Sequence, residues 1–95
     1  MNTVEIDLAQ QYLERVHQLA VRAESGVDVL VDLNITVQEA TDLFQRSWNA
    51  AAIMQHFVEQ LRFNADAVRS DSSKRADILN QAAAWAARAI GAPDA

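Results

Sequence analysis

His17 and His56 are the side chains with the widest chemical reach in this 95-residue chain. Glu14-Arg15-Val16-His17 sets a carboxylate and an imidazole three residues apart. That spacing puts both on one helix face and is the one used in di-iron carboxylate bundles. His56 and Glu59 repeat it in reverse order. In an antiparallel hairpin bent near residue 30, His17 faces residue 43, and His56 falls about 20 Å further along. A ferritin-like carboxylate metal site therefore needs an oligomer to unite the two halves. Zinc, which takes three or four ligands, is served less well. The expectation is no bound metal and no cofactor.

Other catalytic groupings fare no better. Asp28 with Asp32, and Glu5 with Asp7, are the close carboxylate pairs. General acid–base work needs a pocket that perturbs a carboxylate, and a slim bundle rarely supplies one. Ser25, Ser47, Ser70, Ser72 and Ser73 lack a basic partner at motif spacing. The absence of cysteine removes thiol nucleophiles and thiolate metal sites. With only Gly26 and Gly91, phosphate-binding glycine loops and nucleophile elbows are excluded. The sequence predicts no enzyme and no small-molecule substrate.

Charge bears on partners. Residues 1–47 carry eight acids against three arginines, whereas residues 48–95 are balanced, for a net charge of -5. An acidic front half repels a phosphate backbone and favours a basic protein surface or plain solubility. Thr36 to Phe44 resembles the first helix of a helix-turn-helix regulator. The residues after it, Ser47 to Met54, offer no cation to a major groove before Arg62. Nucleic acid is not expected as a partner. Arg62, Arg69, Lys74 and Arg75 interleave with Asp66, Asp71 and Asp77, an ordinary mixed surface. No apolar run approaches the length of a membrane span, and the acidic N-terminus does not read as a signal peptide. The cytoplasm is the default compartment, with leaderless export left open.

The elements that position these residues are helical. Leu8, Tyr12, Val16, Leu19 and Ala23 mark a first helix over about 7–24, with Asp7 as its cap and Gly26 as its stop. Residues 27–34 form the one β-branched stretch and are expected to be an apolar connector over the bundle, since no second strand exists to pair with it. Thr36-Val37-Gln38-Glu39 reads as a capping box. From it a heptad register continues through Val37, Phe44, Ala51, Val58 and Ala65 at a, and Ala40, Ser47, Met54, Leu61 and Val68 at d. All but Ser47 are apolar, predicting a single second helix over 36–69, about 48 Å long. Ser70 to Ser73 turn the chain into a third helix over 73–90. Gly91 and Pro93 stop it, and a frayed tail covers 92–95. The expected fold is all-α: one domain over 1–95, an antiparallel three-helix bundle with a long central helix, assembled as an oligomer.

In length, helical content and mid-chain Trp48, the chain resembles the small secreted WXG100 proteins. It has Trp48-Asn49-Ala50 where that family has Trp-x-Gly. It also lacks the family's tyrosine-based export signal after the second helix, Tyr12 being its only tyrosine. The resemblance implies a leaderless secreted helical factor, bent near Trp48 and heterodimeric.

The expected function rests on an apolar surplus. Helices of about 18 residues cover a 32-residue helix incompletely, and each large aromatic left outside forgoes about 2–3 kcal/mol of burial. Trp48, Ile53, Phe57, Phe63, Ile78 and Trp85 are the candidate partner-binding residues. The reading is a non-enzymatic protein–protein interaction module (an adaptor, chaperone-like binder or small inhibitor) whose partner is another protein or its own copy.

Overall fold

The computed structural model describes residues 2–89. It is all-helical there, with four helices: α1 (Thr3–Glu24), α2 (Leu30–Gln45), α3 (Ala50–Val68) and α4 (Ser73–Ala89). They follow one another up and down, every pair in contact, α3 against α4 most extensively. No described helix is long and apolar enough to cross a membrane. The Gly91–Pro93 stop and the tail over 92–95 lie outside the described residues.

α1 begins earlier than expected because its cap is Asn2, not Asp7. The Asn2 side chain accepts the Glu5 N–H at 2.9 Å, and Asn2 N–H donates to the Glu5 carboxylate at 3.3 Å, a reciprocal capping box. Its end is as expected. Gly26 takes φ +95°, a left-handed conformation open to glycine. Gly26 N–H reaches Ala23 O and Val27 N–H reaches Arg22 O, which satisfies the last carbonyls in a Schellman pattern.

The stretch read as a connector is a loop only to Val29; from Leu30 it is helix. Asp28 supports this start by accepting the Leu30 N–H at 3.2 Å. Thr36 is consequently no cap. It sits buried in the second turn of α2, its hydroxyl donating back to Asp32 O at 2.8 Å.

The long central helix is two helices. The chain leaves helical geometry over 46–49 and restarts at Ala50, with Asn49 as cap at φ -111°, ψ 47°. The heptad passes through two small residues in succession here, Ser47 and Ala51, and Ala51 is exposed. Apolar pattern alone holds little energy at such a point. Ser47, Trp48 and Asn49 are weak helix formers, and Ser47 and Asn49 have polar partners elsewhere. The break allows α3 to fold back, so the bundle measures 38 × 24 × 23 Å.

Phe44, Phe57, Leu33, Ile53, Leu61 and Leu79 are fully enclosed at the centre. Tyr12, Phe44 and Phe57 stack edge to face, with centroids 5.8 and 5.3 Å apart, joining α1, α2 and α3 through one aromatic column. α4 contributes mainly small residues: Ala76, Ala82, Ala83, Ala86 and Ala87 are buried beside Leu79, which lets α4 lie close to its three neighbours.

Candidate interaction surfaces

Among the described residues Glu5 is the most elaborately held carboxylate. It is only 6% exposed. Ser47 Oγ donates to it at 2.9 Å and Asn49 Nδ2 at 3.1 Å, besides the Asn2 N–H. The Asn49 side-chain bond, against the opposing effect of burial and with help from Ser47, holds its pKa below the ordinary 4.5. The acid is thus kept ionised and fully engaged, a structural clamp rather than a proton donor. The clamp fixes the residues on both sides of Trp48. Trp48 itself lies in the α2–α3 turn at 100% exposure.

A second concentration of exposed apolar surface lies on α2. Its inward stripe is Leu33, Val37, Ala40 and Phe44. Opposite it, one turn apart, are Val31 (72% exposed) and Ile35 (half exposed). Val27 and Leu30 extend this surface around the start of the helix, each about half exposed. Two recesses flank it. One, of about 290 Å³, lies between α1 and α2 and is bordered by Arg15, Arg22, Asp32 and Ile35. The other, of about 250 Å³, opens where the α1–α2 loop meets the first turns of α4. Ala23, Val27, Leu30 and Ile78 give it apolar walls, and Asp28, Lys74 and Asp77 stand at its edge.

No family model, curated protein or solved structure matches the chain.

The expected partner-binding residues divide sharply. Trp48 and Phe63 (68% exposed) offer their side chains to solvent. Ile78 and Trp85 are half-buried and pack against the core. Ile53 and Phe57 are fully enclosed and have no surface to offer. A continuous helix over 36–69 sets Ile53 at c, away from the a/d seam, and Phe57 at g, on its margin. Once α3 folds back on its own, the buried face rotates to include them. The apolar residues that sequence reasoning missed are Val27, Leu30, Val31 and Ile35. Their signal was present in the β-branched run, but a connector carries no outward face.

The histidines do not converge. His17 borders a groove with Glu14, Asn64, Ala67 and Val68, and His56 lies two to three turns earlier on α3, roughly 12–18 Å away. Among the described residues no three His, Cys, Asp or Glu side chains gather as a metal site. The helix break does restore one feature that a helix-turn-helix needs, a turn after the first helix. Even so, α3 presents no cation before Arg62.

Proposed function

We propose that the chain is a non-enzymatic protein–protein interaction module whose working surface is the outer face of α2. The observation that carries this reading is the exposed apolar set Val27, Leu30, Val31 and Ile35, gathered within nine residues of one segment. Single exposed apolar side chains are ordinary; a contiguous group on one face marks a contact surface. The i, i+4 spacing of Val31 and Ile35 suits a partner helix laid along α2. Charge narrows the partner's chemistry. From residue 23 to residue 45 the chain has no cation and five acids, Glu24, Asp28, Asp32, Glu39 and Asp42. Among the described residues Glu24 is paired to Arg75 at 3.0 Å and Glu39 to Arg15 at 3.1 Å, which leaves three acids for a partner. A basic amphipathic helix fits that face.

The test is affinity capture from host extract with the wild type and with a Val31→Glu/Ile35→Glu variant. Both residues project outward, so the variant keeps its helix content and its melting temperature. The reading expects a defined partner retained by the wild type and lost by the variant. Identical capture by the two proteins removes it.

A WXG100-like secreted factor is the second reading, favoured by one observation: the chain turns at Trp48, and the indole is wholly exposed there. It expects the protein in culture supernatant and a heterodimer that Trp48→Ala abolishes.

A further inference from the structure

The turn bearing Trp48 and the recess walled by Val27, Leu30 and Ile78 lie at opposite ends of the bundle. Glu5, at the start of α1, binds both neighbours of Trp48, whereas Ala23, near the end of α1, borders the recess. Eighteen residues of helix separate Glu5 from Ala23, about 27 Å, so a chain cannot fill its own recess with its own indole. A second copy can. We propose that this protein self-associates head to tail, the Trp48 turn of one copy seated in the α1–α2/α4 recess of the next.

Three observations carry the proposal. The indole is a large apolar group with no intramolecular contact surface, and the recess is an apolar hollow of about 250 Å³ left open in the same molecule. The turn is already rigid: the Glu5 clamp fixes Ser47 and Asn49, so the ordering cost of presenting Trp48 is met during folding and not on binding. The charges match as well. Arg46, two residues before Trp48, is the sole cation between residues 23 and 61, and the recess edge holds Asp28 and Asp77 against one Lys74. Knob and recess are different patches at opposite ends of the bundle, so copies stacked in parallel make a heterologous contact, and a stack that does not close on itself leaves a free knob and a free recess on every assembly. One seated tryptophan buries about 150–250 Å², well under the roughly 1,200 Å² of a stable complex, so the association is weak and appears at high concentration. The recess shares Val27 and Leu30 with the partner-binding surface, but Val31 and Ile35 take no part in it, so substitutions at those two positions separate the readings.

The experiment is sedimentation velocity on the full chain from micromolar to about 1 mM, the range in which so small a contact acts. It compares the wild type, Trp48→Ala, Leu30→Asp, Val31→Glu, and an equimolar mixture of the first two variants. Leu30→Asp places an acid in the first turn of α2, where the helix dipole favours it, so the fold is kept. Circular dichroism of each variant verifies this. The expected result is a wild-type mass that keeps rising with concentration and a Val31→Glu variant that behaves the same way. Trp48→Ala and Leu30→Asp are each monomeric, and their mixture gives a 1:1 dimer that stops there, since one supplies the only recess and the other the only knob. In a Trp85→Phe background the Trp48 emission shifts to the blue as assemblies form. A wild type that stays monomeric throughout, a mass that stops at two copies, a Trp48→Ala variant that assembles like the wild type, or a mixture that stays monomeric overturns the proposal. Loss of partner capture in Val31→Glu/Ile35→Glu, with self-association intact, separates the two readings.

Discussion

Replacing Ala50 by proline discriminates between a chain with one long central helix and a chain with two. Ala50 is the first residue of α3, and Asn49 before it caps the helix at ψ 47°, outside the helical well. At a first helical position the N–H has no intrahelical acceptor, so proline removes no bond, and its fixed φ suits the helix that follows. The lost flexibility of the unfolded chain stabilises by about 0.4–1 kcal/mol. The restriction that proline places on Asn49 offsets some of that. The net expectation for Ala50→Pro is a change within about 1 kcal/mol of zero. In a continuous helix over 36–69 the same substitution sits fourteen residues from the start, removes a backbone hydrogen bond and costs about 3 kcal/mol or more. Gln55→Pro is the control, exposed and within α3, and should lose that full amount. Urea denaturation followed by circular dichroism measures both. With a slope of about 1–3 kcal/mol/M for a domain this size, the control's midpoint falls by at least 1 M and that of Ala50→Pro stays near the wild type. Equal damage from the two prolines would mean that the chain is helical through Ser47 and Trp48, and the four-helix fold would be wrong.

Phe44→Ala empties the middle of the aromatic column between Tyr12 and Phe57. It should destabilise by about 3–5 kcal/mol in the same urea assay, and a loss under about 1 kcal/mol would show that the column is not central. Gly26→Ala meets no atom within 4 Å but must hold φ +95°; the strain costs about 1 kcal/mol, and a neutral result would mean that α1 does not end in a left-handed residue. Glu5 and Glu24 both titrate below the ordinary 4.5, Glu5 through Asn49 and then Ser47, Glu24 through Ser72 and then Arg75, each against the opposing effect of burial. Because the folded values are depressed, their contribution is complete above about pH 4.5 and is lost as pH falls through the folded values. The melting temperature should therefore drop on acidification below that point, less steeply in Glu5→Gln; parallel profiles for wild type and variant would remove the clamp.

Much of the helical content was legible because apolar residues recur with helical period wherever the chain buries a face. The end of α1 at Gly26 and the turn over 70–72 were legible because glycine and serine have specific backbone uses there. The start of α1 was equally available, since Asn2-Thr3-Val4-Glu5 carries both halves of a capping box. A heptad is a pattern and not an energy. Val37, Ala40 and Phe44 hold α2 in the core, and Met54, Val58, Leu61 and Ala65 hold α3. Between them the register contains nothing larger than Ser47 and Ala51. The decisive interaction was long-range: Glu5 captures Ser47 and Asn49 from more than forty residues away. No local pattern encodes that, because the partners meet only once the bundle has formed. A helix carried through the break turns Ile53 outward, leaves Phe57 at the seam's margin and hides the outer face of α2.

The six aromatic residues separate two kinds of exposure. Tyr12, Phe44 and Phe57 form the column, and Trp85 packs half-buried against the core, so the fold uses four of them. Phe63 stands exposed on α3 with neighbours such as Glu59, Asp66 and Ala67 on the same side of the helix, an isolated ring of the kind that protein surfaces routinely tolerate. Trp48 differs in what has been built beneath it. A buried carboxylate is desolvated at a cost, and leaving its partners out of α2 and α3 shortens both helices. The turn itself serves the fold, because it lets α3 pack back and enclose Ile53 and Phe57. The clamp ties that turn down with three side chains, while its most prominent feature, a bare indole, contributes nothing to the bundle. Rigid presentation of an apolar group outside the core is the requirement for recognition, not for stability. Trp48→Ala should accordingly leave the urea midpoint unchanged while it alters association, and a large loss of stability would place the indole back among the folding residues.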